Sequence, residues 1–287
     1  MKIYNLSTVI FLLYSMSFIL SCEPKKTVVK RILPERKQPK TITYHIDTAK
    51  QWLKQHSKDT ASLQIVLAVN RTDSAGFGQL DSVIIPDDLN GDLAFYLPFP
   101  VDVPYLQDVD KLIFFSYPTQ TFAAYEKGIL TYTGPTNMGR KKDPTPTGLF
   151  YTNWKAEQTT STFNDEWDLL WNFNIENKEG VGWHQYSLPG YPASHSCLRL
   201  QEKDAKYLYN WANEWVLNAT DSVEIKGTPV IVFGMYNFDA PKPWMQLPSN
   251  AKALIITVEE IQKQTTAFLP AILSEQQKRN ALPVAKK

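Results

Sequence analysis

The sequence predicts a mainly β fold with a few helices, an α+β protein in which a small N-terminal appendage precedes a β-rich domain. Three observations carry this. From Lys111 onward, short runs of Val, Ile, Phe, Tyr and Thr alternate with Gly, Pro and Asn, the pattern of successive strands. Helical spacing is confined to a few stretches, of which 201–218 and 249–269 are the longest. The chain has 287 residues, 43% hydrophobic and 21% charged, which is ordinary globular composition with room for two domains and excludes wholesale disorder. The 14 Phe, 14 Tyr and 8 Trp are a heavy aromatic load. A net charge of +1 advertises no nucleic-acid partner, and two cysteines, Cys22 and Cys197, give no disulfide framework.

Residues 1–21 hold one charge, Lys2, before a nearly apolar run over 9–20. The run is too short to span a bilayer, which needs about 20 residues, and suits a signal peptide. It ends in Ile19-Leu20-Ser21-Cys22, which resembles a bacterial lipobox. The resemblance implies cleavage before Cys22, a lipid on its thiol, and a periplasm-facing protein anchored at a membrane, in either leaflet. Residues 22–40 carry seven Lys/Arg against two Glu, a net +5, and read as a basic tether or solvated spacer near anionic headgroups. Residues 41–110 read as a small module: a short helix over 48–56, an apolar run at 63–71 that is a strand or a buried helix, and a strand at 80–86 closed by Pro86. This order resembles a degenerate LysM-type glycan-binding module, with a plain structural appendage as the alternative. The proline-rich stretch 96–105 reads as a linker or extended packing segment.

Residues 111–236 form the main domain. Segments 112–117, 121–128 and 129–134 read as strands with Gly128 at a turn; 148–154 and 181–188 are further strands, and 227–236 closes the set. Between them, Ala205, Leu208, Ala212 and Trp215 fall on one helix face within 201–218. Residues 237–287 read as a proline-containing linker and a C-terminal helix, with Leu254, Val258, Ile261 and Phe268 at helical spacing and Pro270 as the stop.

The chemistry concentrates between His184 and Arg199. With Cys22 lipidated, Cys197 is the one free thiol of an exported chain, a setting where an unused thiol is unusual. Around it stand Ser194, His195, Ser196 and Arg199, and His184 lies 13 positions upstream. A thiol nucleophile needs a base to take its proton, a cationic surrounding for the thiolate, and donors for the oxyanion. His184 supplies the first; backbone N–H groups at Ser196 and Cys197 are candidates for the third. His195, two residues from Cys197, shares a face with it in an extended strand and competes for the base role. Ser194 reads as a local backbone hydrogen-bonder rather than a second nucleophile. His45 and His56 have no companions and read as surface residues. No CxxC or HxxxH pairing supports a metal site, and no cofactor is expected.

The motifs Pro144-Thr145-Pro146-Thr147-Gly148, Gly182-Trp183-His184-Gln185-Tyr186 and Ser194-His195-Ser196-Cys197-Leu198-Arg199, in this order and closed by 227–233, resemble the L,D-transpeptidase (YkuD-type) catalytic domain over roughly 111–236. The resemblance implies a β-rich fold whose cysteine attacks a bond between an L- and a D-centre in a peptidoglycan stem peptide and passes the acyl group to an amine. It makes Cys197 the nucleophile and His184 the general base, its ring steered by a backbone carbonyl. His195 and Arg199 line the pocket, with Arg199 a clamp for a stem-peptide carboxylate or a structural ion-pair partner.

Two departures stand out. The family has glycine where this chain has Ser196; the expectation is a loop rebuilt around serine, its hydroxyl donating to the site or orienting His184, with a strained glycine-like backbone as the alternative. The stretch 154–175, rich in Trp and Phe with Asp165, Glu166 and Asp168, is an insertion packing a small core of its own, or an aromatic groove for sugars or a cationic amine. The basic loop 139–143 reads as solvated, with contact to an acidic wall polymer as the alternative. Three functions follow: transpeptidation with an amine acceptor, L,D-peptidase or amidase chemistry with water, and a non-catalytic peptidoglycan-binding lipoprotein. Oligomeric state is not legible.

Overall fold

A computed structural model describes residues 31–56, 58–161 and 168–283. The predicted signal peptide, Cys22 and the rest of 22–30 in the predicted tether lie outside the described residues, as do Phe163, Asp165, Glu166 and Trp167 of the predicted insertion. Residues 34–287 group as one compact unit; the other unit, 1–33, has only 31–33 described, without regular structure. Among the described residues no helix is long and apolar enough to cross a membrane.

The first elements are β1 (Tyr44–Asp47), α1 (Ala49–His56), α2 (Thr60–Val69), α3 (Ser74–Phe77) and β2 (Val83–Pro86). β1 and β2 pair antiparallel. The apolar run at 63–71 resolves to the helix, α2, because Asp59 caps it by accepting from the Ser62 N–H at 3.1 Å and Ile65, Val66 and Val69 are all buried. His45 does have a companion, Asp87, 2.6 Å away at the surface. The stretch 96–105 is a folded packing segment, with Tyr96, Leu97, Phe99 and Val103 buried.

The main domain holds β3 (Leu112–Ser116), β4 (Thr121–Glu126), β5 (Ile129–Pro135), β6 (Gly148–Tyr151), β7 (Lys155–Thr160), β8 (Asp168–Glu176), β9 (Val181–Gln185), β10 (Leu198–Leu200), α4 (Glu202–Trp211), β11 (Val216–Leu217), β12 (Val223–Ile225) and β13 (Pro229–Phe233). A five-stranded sheet runs β5-β4-β3-β13-β6, with β3 and β13 parallel and the other pairs antiparallel. The β4–β5 hairpin turns on Lys127 and Gly128, both at positive φ (48° and 73°), which suits glycine at the second position. A four-stranded sheet runs β10-β9-β8-β7, with β9 and β10 parallel. The predicted insertion is therefore mostly sheet: β7 and β8 extend the strand that carries His184.

Strand alternation builds the two main cores. Ile113 and Phe115 of β3 face a core shared with Phe173, Trp183, Leu198 and α4. Leu112 and Phe114 face the opposite core, covered by α5 (Val258–Thr266) and α6 (Leu269–Asn280) through Ile261 and Ile272.

Two helix expectations are corrected. The helix predicted over 201–218 stops at Trp211: Ala212 is already extended (ψ 149°), and the Asn213 carbonyl is claimed by the Thr228 N–H at 3.1 Å and the Thr152 hydroxyl at 2.5 Å. Trp215 therefore lies outside it. The tail is two helices, not one over 249–269. Thr257 caps α5 by accepting from the Glu260 N–H at 3.2 Å, so the helix begins there. Pro270 sits in the first turn of α6, where a missing N–H costs nothing, and so opens a helix rather than stopping one.

Candidate active site

The parallel pairing of β9 with β10 sets Arg199 opposite His184 and Leu198 opposite Trp183. Trp183, Leu198 and Leu200 point into the core and are fully buried. Alternation then turns His184, Cys197 and Arg199 to the other face. There they line a cleft of about 120 Å³ together with Ser194, His195 and Tyr186. Gly182, between Val181 and Trp183, lets β9 lie close to β8: a Cβ there would stand 2.5 Å from the Phe173 carbonyl oxygen.

His184 is 5% exposed. Its Nδ1 lies 3.0 Å from the Gln185 carbonyl oxygen, which can only accept, so Nδ1 carries the proton and Nε2 keeps its lone pair. Burial drives its pKa down to about 4, with the Gln185 contact opposing and the Arg199 charge adding to the drop, so the ring is neutral at neutral pH. Burial pushes the Cys197 thiol up, against a backbone contact at Gly182 and the Arg199 charge, both of which pull it down. Its Sγ lies 3.8 Å from the Gly180 carbonyl oxygen. The resting pair is thus neutral thiol and neutral imidazole. Arg199 stacks over the Tyr186 ring at 4.3 Å, and burial lowers its pKa. His195 is lowered by burial and then by Arg140.

The loop that carries Cys197 is held from several sides. The Ser194 hydroxyl donates to the Cys197 carbonyl at 2.6 Å, the local role expected of it. The Asn137 side chain accepts from the Ala193 N–H and donates to the Tyr191 carbonyl. Thr145, in the 144–148 motif, donates to the Ser196 carbonyl at 2.8 Å and accepts from the Gly139 N–H at 2.8 Å. On the N-terminal side, the Thr72 hydroxyl donates to the Leu188 carbonyl at 2.8 Å, and Asp73 accepts from the Leu188 N–H at 2.6 Å.

Ser196 departs from its expectation. Its backbone takes φ +80°, the conformation of glycine, and its hydroxyl makes no hydrogen bond among the described residues. It is not among the residues that line the cleft. The loop keeps the glycine-like path and is not rebuilt around the side chain, because Thr145 and Ser194 fix the carbonyls on either side of Cys197's amide neighbours.

Asn172 and Asn174 were not singled out by sequence. On β8, Phe173 and Ile175 face the core, so both asparagines turn to the cleft and line it. Asn172 is buried and its Nδ2 has no partner among the described residues. An alternating polar position was the available signal, hidden inside a stretch read as an insertion. Of the acidic residues in that stretch, Asp168 opens β8 and is not a lining residue. The loop at 139–143 closes on itself through Arg140 and Asp143, 2.5 Å apart. Among the described residues no group of three or more His, Cys, Asp or Glu side chains is arranged to hold a metal.

Residues 110–232 match the family model of the L,D-transpeptidase catalytic domain, YkuD. No curated protein matches the chain. Similar solved structures include an L,D-transpeptidase from Mycobacterium smegmatis, 22% identical, covering 44% of this chain and 59% of its own, at TM-score 0.35. One from Stackebrandtia nassauensis is 22% identical, covering 44% and 56%, at TM-score 0.36. One from Mycobacterium tuberculosis H37Rv is 22% identical, covering 44% and 58%, at TM-score 0.35. This chain therefore spans less than two thirds of the length of each. The segment that matches this family model, 110–232, includes both His184 and Cys197.

Proposed function

We propose that the protein is a cysteine acyltransferase acting on peptidoglycan stem peptides through a thioester at Cys197. The observation that supports this most is the placing of a neutral, carbonyl-steered His184 and a half-buried Cys197 on one face of paired strands, lining one cleft. Cys197 Sγ attacks the carbonyl carbon of the bond between the L- and D-centres as His184 Nε2 takes the thiol proton. The C–N bond breaks, the departing amine takes that proton, and the acyl group stays on sulfur. An acceptor amine then attacks the thioester, gives its extra proton to His184, and leaves the free thiol after proton return. Arg199 sets positive potential beside Cys197, which suits a substrate carboxylate and steadies thiolate character when it forms, while His195 lines the same cleft.

The same reading places the domain outside the cytoplasm, held to a membrane by a lipid on Cys22, with 22–40 as its tether. Cys22→Ala should release the protein from membrane fractions, and continued fractionation with membranes after signal removal would refute the anchor.

The test of the reaction is mass analysis of stem tetrapeptides incubated with the protein. An acyl adduct on Cys197 and cross-linked dimers carry the proposal; trimmed monomers move the acceptor to water; unchanged stems without adduct overturn it.

A further inference from the structure

A second cavity, of about 440 Å³, shares no lining residue with the Cys197 cleft. It lies where α6, the β4–β5 hairpin and the start of β13 meet, and its size falls within the range of ligand pockets, roughly 300–1,000 Å³. Ile129, Pro229 and Ile272 supply apolar wall.

The charges in that wall are unevenly satisfied. Each of its carboxylates already holds donors. Glu126 accepts from Trp211 Nε1 at 2.6 Å, and Asp110 from Asn280 Nδ2 at 2.9 Å. Glu275 pairs with Lys278 at 2.7 Å and accepts from the Lys226 N–H at 3.0 Å. Two of its four cations, Lys111 and Arg279, are answered differently. Lys111 Nζ donates to the Trp211 carbonyl at 2.7 Å and lies 4.9 Å from the Trp211 ring centre. Arg279 Nη2 donates to the carbonyls of Glu214 and Lys226 at 2.6 and 3.0 Å. Among the described residues neither has a carboxylate at ion-pair distance. Carbonyl oxygens satisfy N–H groups but do not neutralise charge. Both side chains are half-buried; at longer range Glu126 and Asp110 support the Lys111 charge and Glu275 that of Arg279, while the two cations act against each other. Two like charges sharing a partly desolvated wall are a standing cost that an anion between partners of this kind removes.

We propose that this cavity binds an organic anion, its carboxylate- or phosphate-type head held by Lys111 and Arg279 and its apolar body resting on Ile129, Pro229 and Ile272. The site is independent of the Cys197 chemistry and stands whether or not that chemistry is as described above.

The experiment titrates the full-length protein with octanoate and with octyl phosphate, by calorimetry and by amide chemical shifts. Octanol and inorganic phosphate serve as the headless and tailless controls. One saturable site is expected for octanoate or octyl phosphate, and whichever binds more tightly identifies the head. Shifts should gather at 226–229 and 272–280 and leave 184–199 unmoved. Both controls should bind at least ~10-fold more weakly, the scale of one charged or apolar anchor. Lys111→Gln and Arg279→Gln keep an N–H donor for the carbonyls while removing charge, and each should weaken binding several-fold without a loss of melting temperature. The shift map on the unaltered protein decides the matter even where a variant folds poorly. No saturable site, shifts centred on 184–199, octanol or inorganic phosphate binding as tightly as the amphiphiles, or unchanged affinity in well-folded glutamine variants would each overturn the proposal.

Discussion

The five-stranded and four-stranded sheets are made from similar residues, yet only the second turns polar side chains from the middle of its strands to a cleft. In the first, β3 reads Leu-Ile-Phe-Phe-Ser and all five residues are buried, since α5 and α6 cover one face and the shared core covers the other. In the second, Phe173, Ile175, Val181, Trp183, Leu198 and Leu200 fill the core, while the residues alternating with them include Asn172, Asn174, His184, Cys197 and Arg199. A sheet packed on both faces leaves only its ends and edges for binding, whereas one packed on a single face can present chemistry from strands whose other side fixes their position.

That contrast makes predictions about which sheet a substitution harms. The largest effect is expected at the cleft. Cys197→Ala should abolish acylation by a stem peptide or a carbapenem, and His184→Ala should slow it by ~10²–10⁴, the usual worth of a positioned base. Intact-mass kinetics check both, and an adduct persisting in Cys197→Ala would break the assignment. Because His184 and Cys197 contribute little packing compared with the adjacent core residues Trp183 and Leu198, melting temperatures should move slightly.

The five-stranded sheet should behave in the opposite way. Phe114 is fully buried, with Tyr125 and Phe233 rings edge-on at 5.8 and 6.1 Å. Phe114→Ala should cost about 3–5 kcal/mol in urea unfolding while the folded fraction acylates at the normal rate. A proportionate loss of rate in fully folded protein would show that the two sheets are coupled.

Asp204 sharpens the comparison at the helix packed on the four-stranded sheet. Burial raises its pKa to about 6, against the Lys203 charge and the Tyr132 hydroxyl, which donates to it at 2.7 Å. The folded state therefore binds a proton that the unfolded state releases near pH 4. The stability this contributes is complete below about pH 4 and is lost as pH rises through about 6, a fall of about 3 kcal/mol. Asp204→Asn should flatten unfolding free energy across that window. A slope unchanged from the parent protein would assign the titration elsewhere.

The smallest effect is at Ser196. A Cβ in the left-handed region costs ~1–2 kcal/mol, so Ser196→Gly should raise stability by about that amount and leave acylation equal or faster. Slower acylation would restore a role for the hydroxyl.

Much of this was legible from residues alone. The strands at 112–117, 121–128 and 129–134 announced themselves because doubly buried strands are continuous apolar runs with turn residues between them. His184 and Cys197 stood out as a thiol and an imidazole at a motif spacing. What failed was decided by long-range competition. Nothing local tells that Thr152 and Thr228 take the Asn213 carbonyl and end α4; the start of α5 is the exception, a local Thr257–Glu260 cap overlooked in reading the tail as one helix over 249–269. β7 and β8 were missed because Lys155–Thr160 is a polar edge strand, and an aromatic-rich stretch reads the same whether it packs alone or extends a sheet. The second cavity was invisible, since Lys111 and Arg279 are 168 positions apart in sequence.

The tie between Asp73 and Leu188 joins residues 115 apart in the chain, and it crosses the boundary of the matched segment 110–232. The peptide between His184 and Cys197 is thus secured by residues upstream of the matched segment. An excised 110–232 fragment would carry every residue of the motif but lose the acceptor for the Leu188 N–H and the donor to its carbonyl. Such a fragment would have the right side chains on a slack tether. The smallest piece of this polypeptide that can hold its cleft in working shape is therefore longer than the segment by which the cleft is recognised.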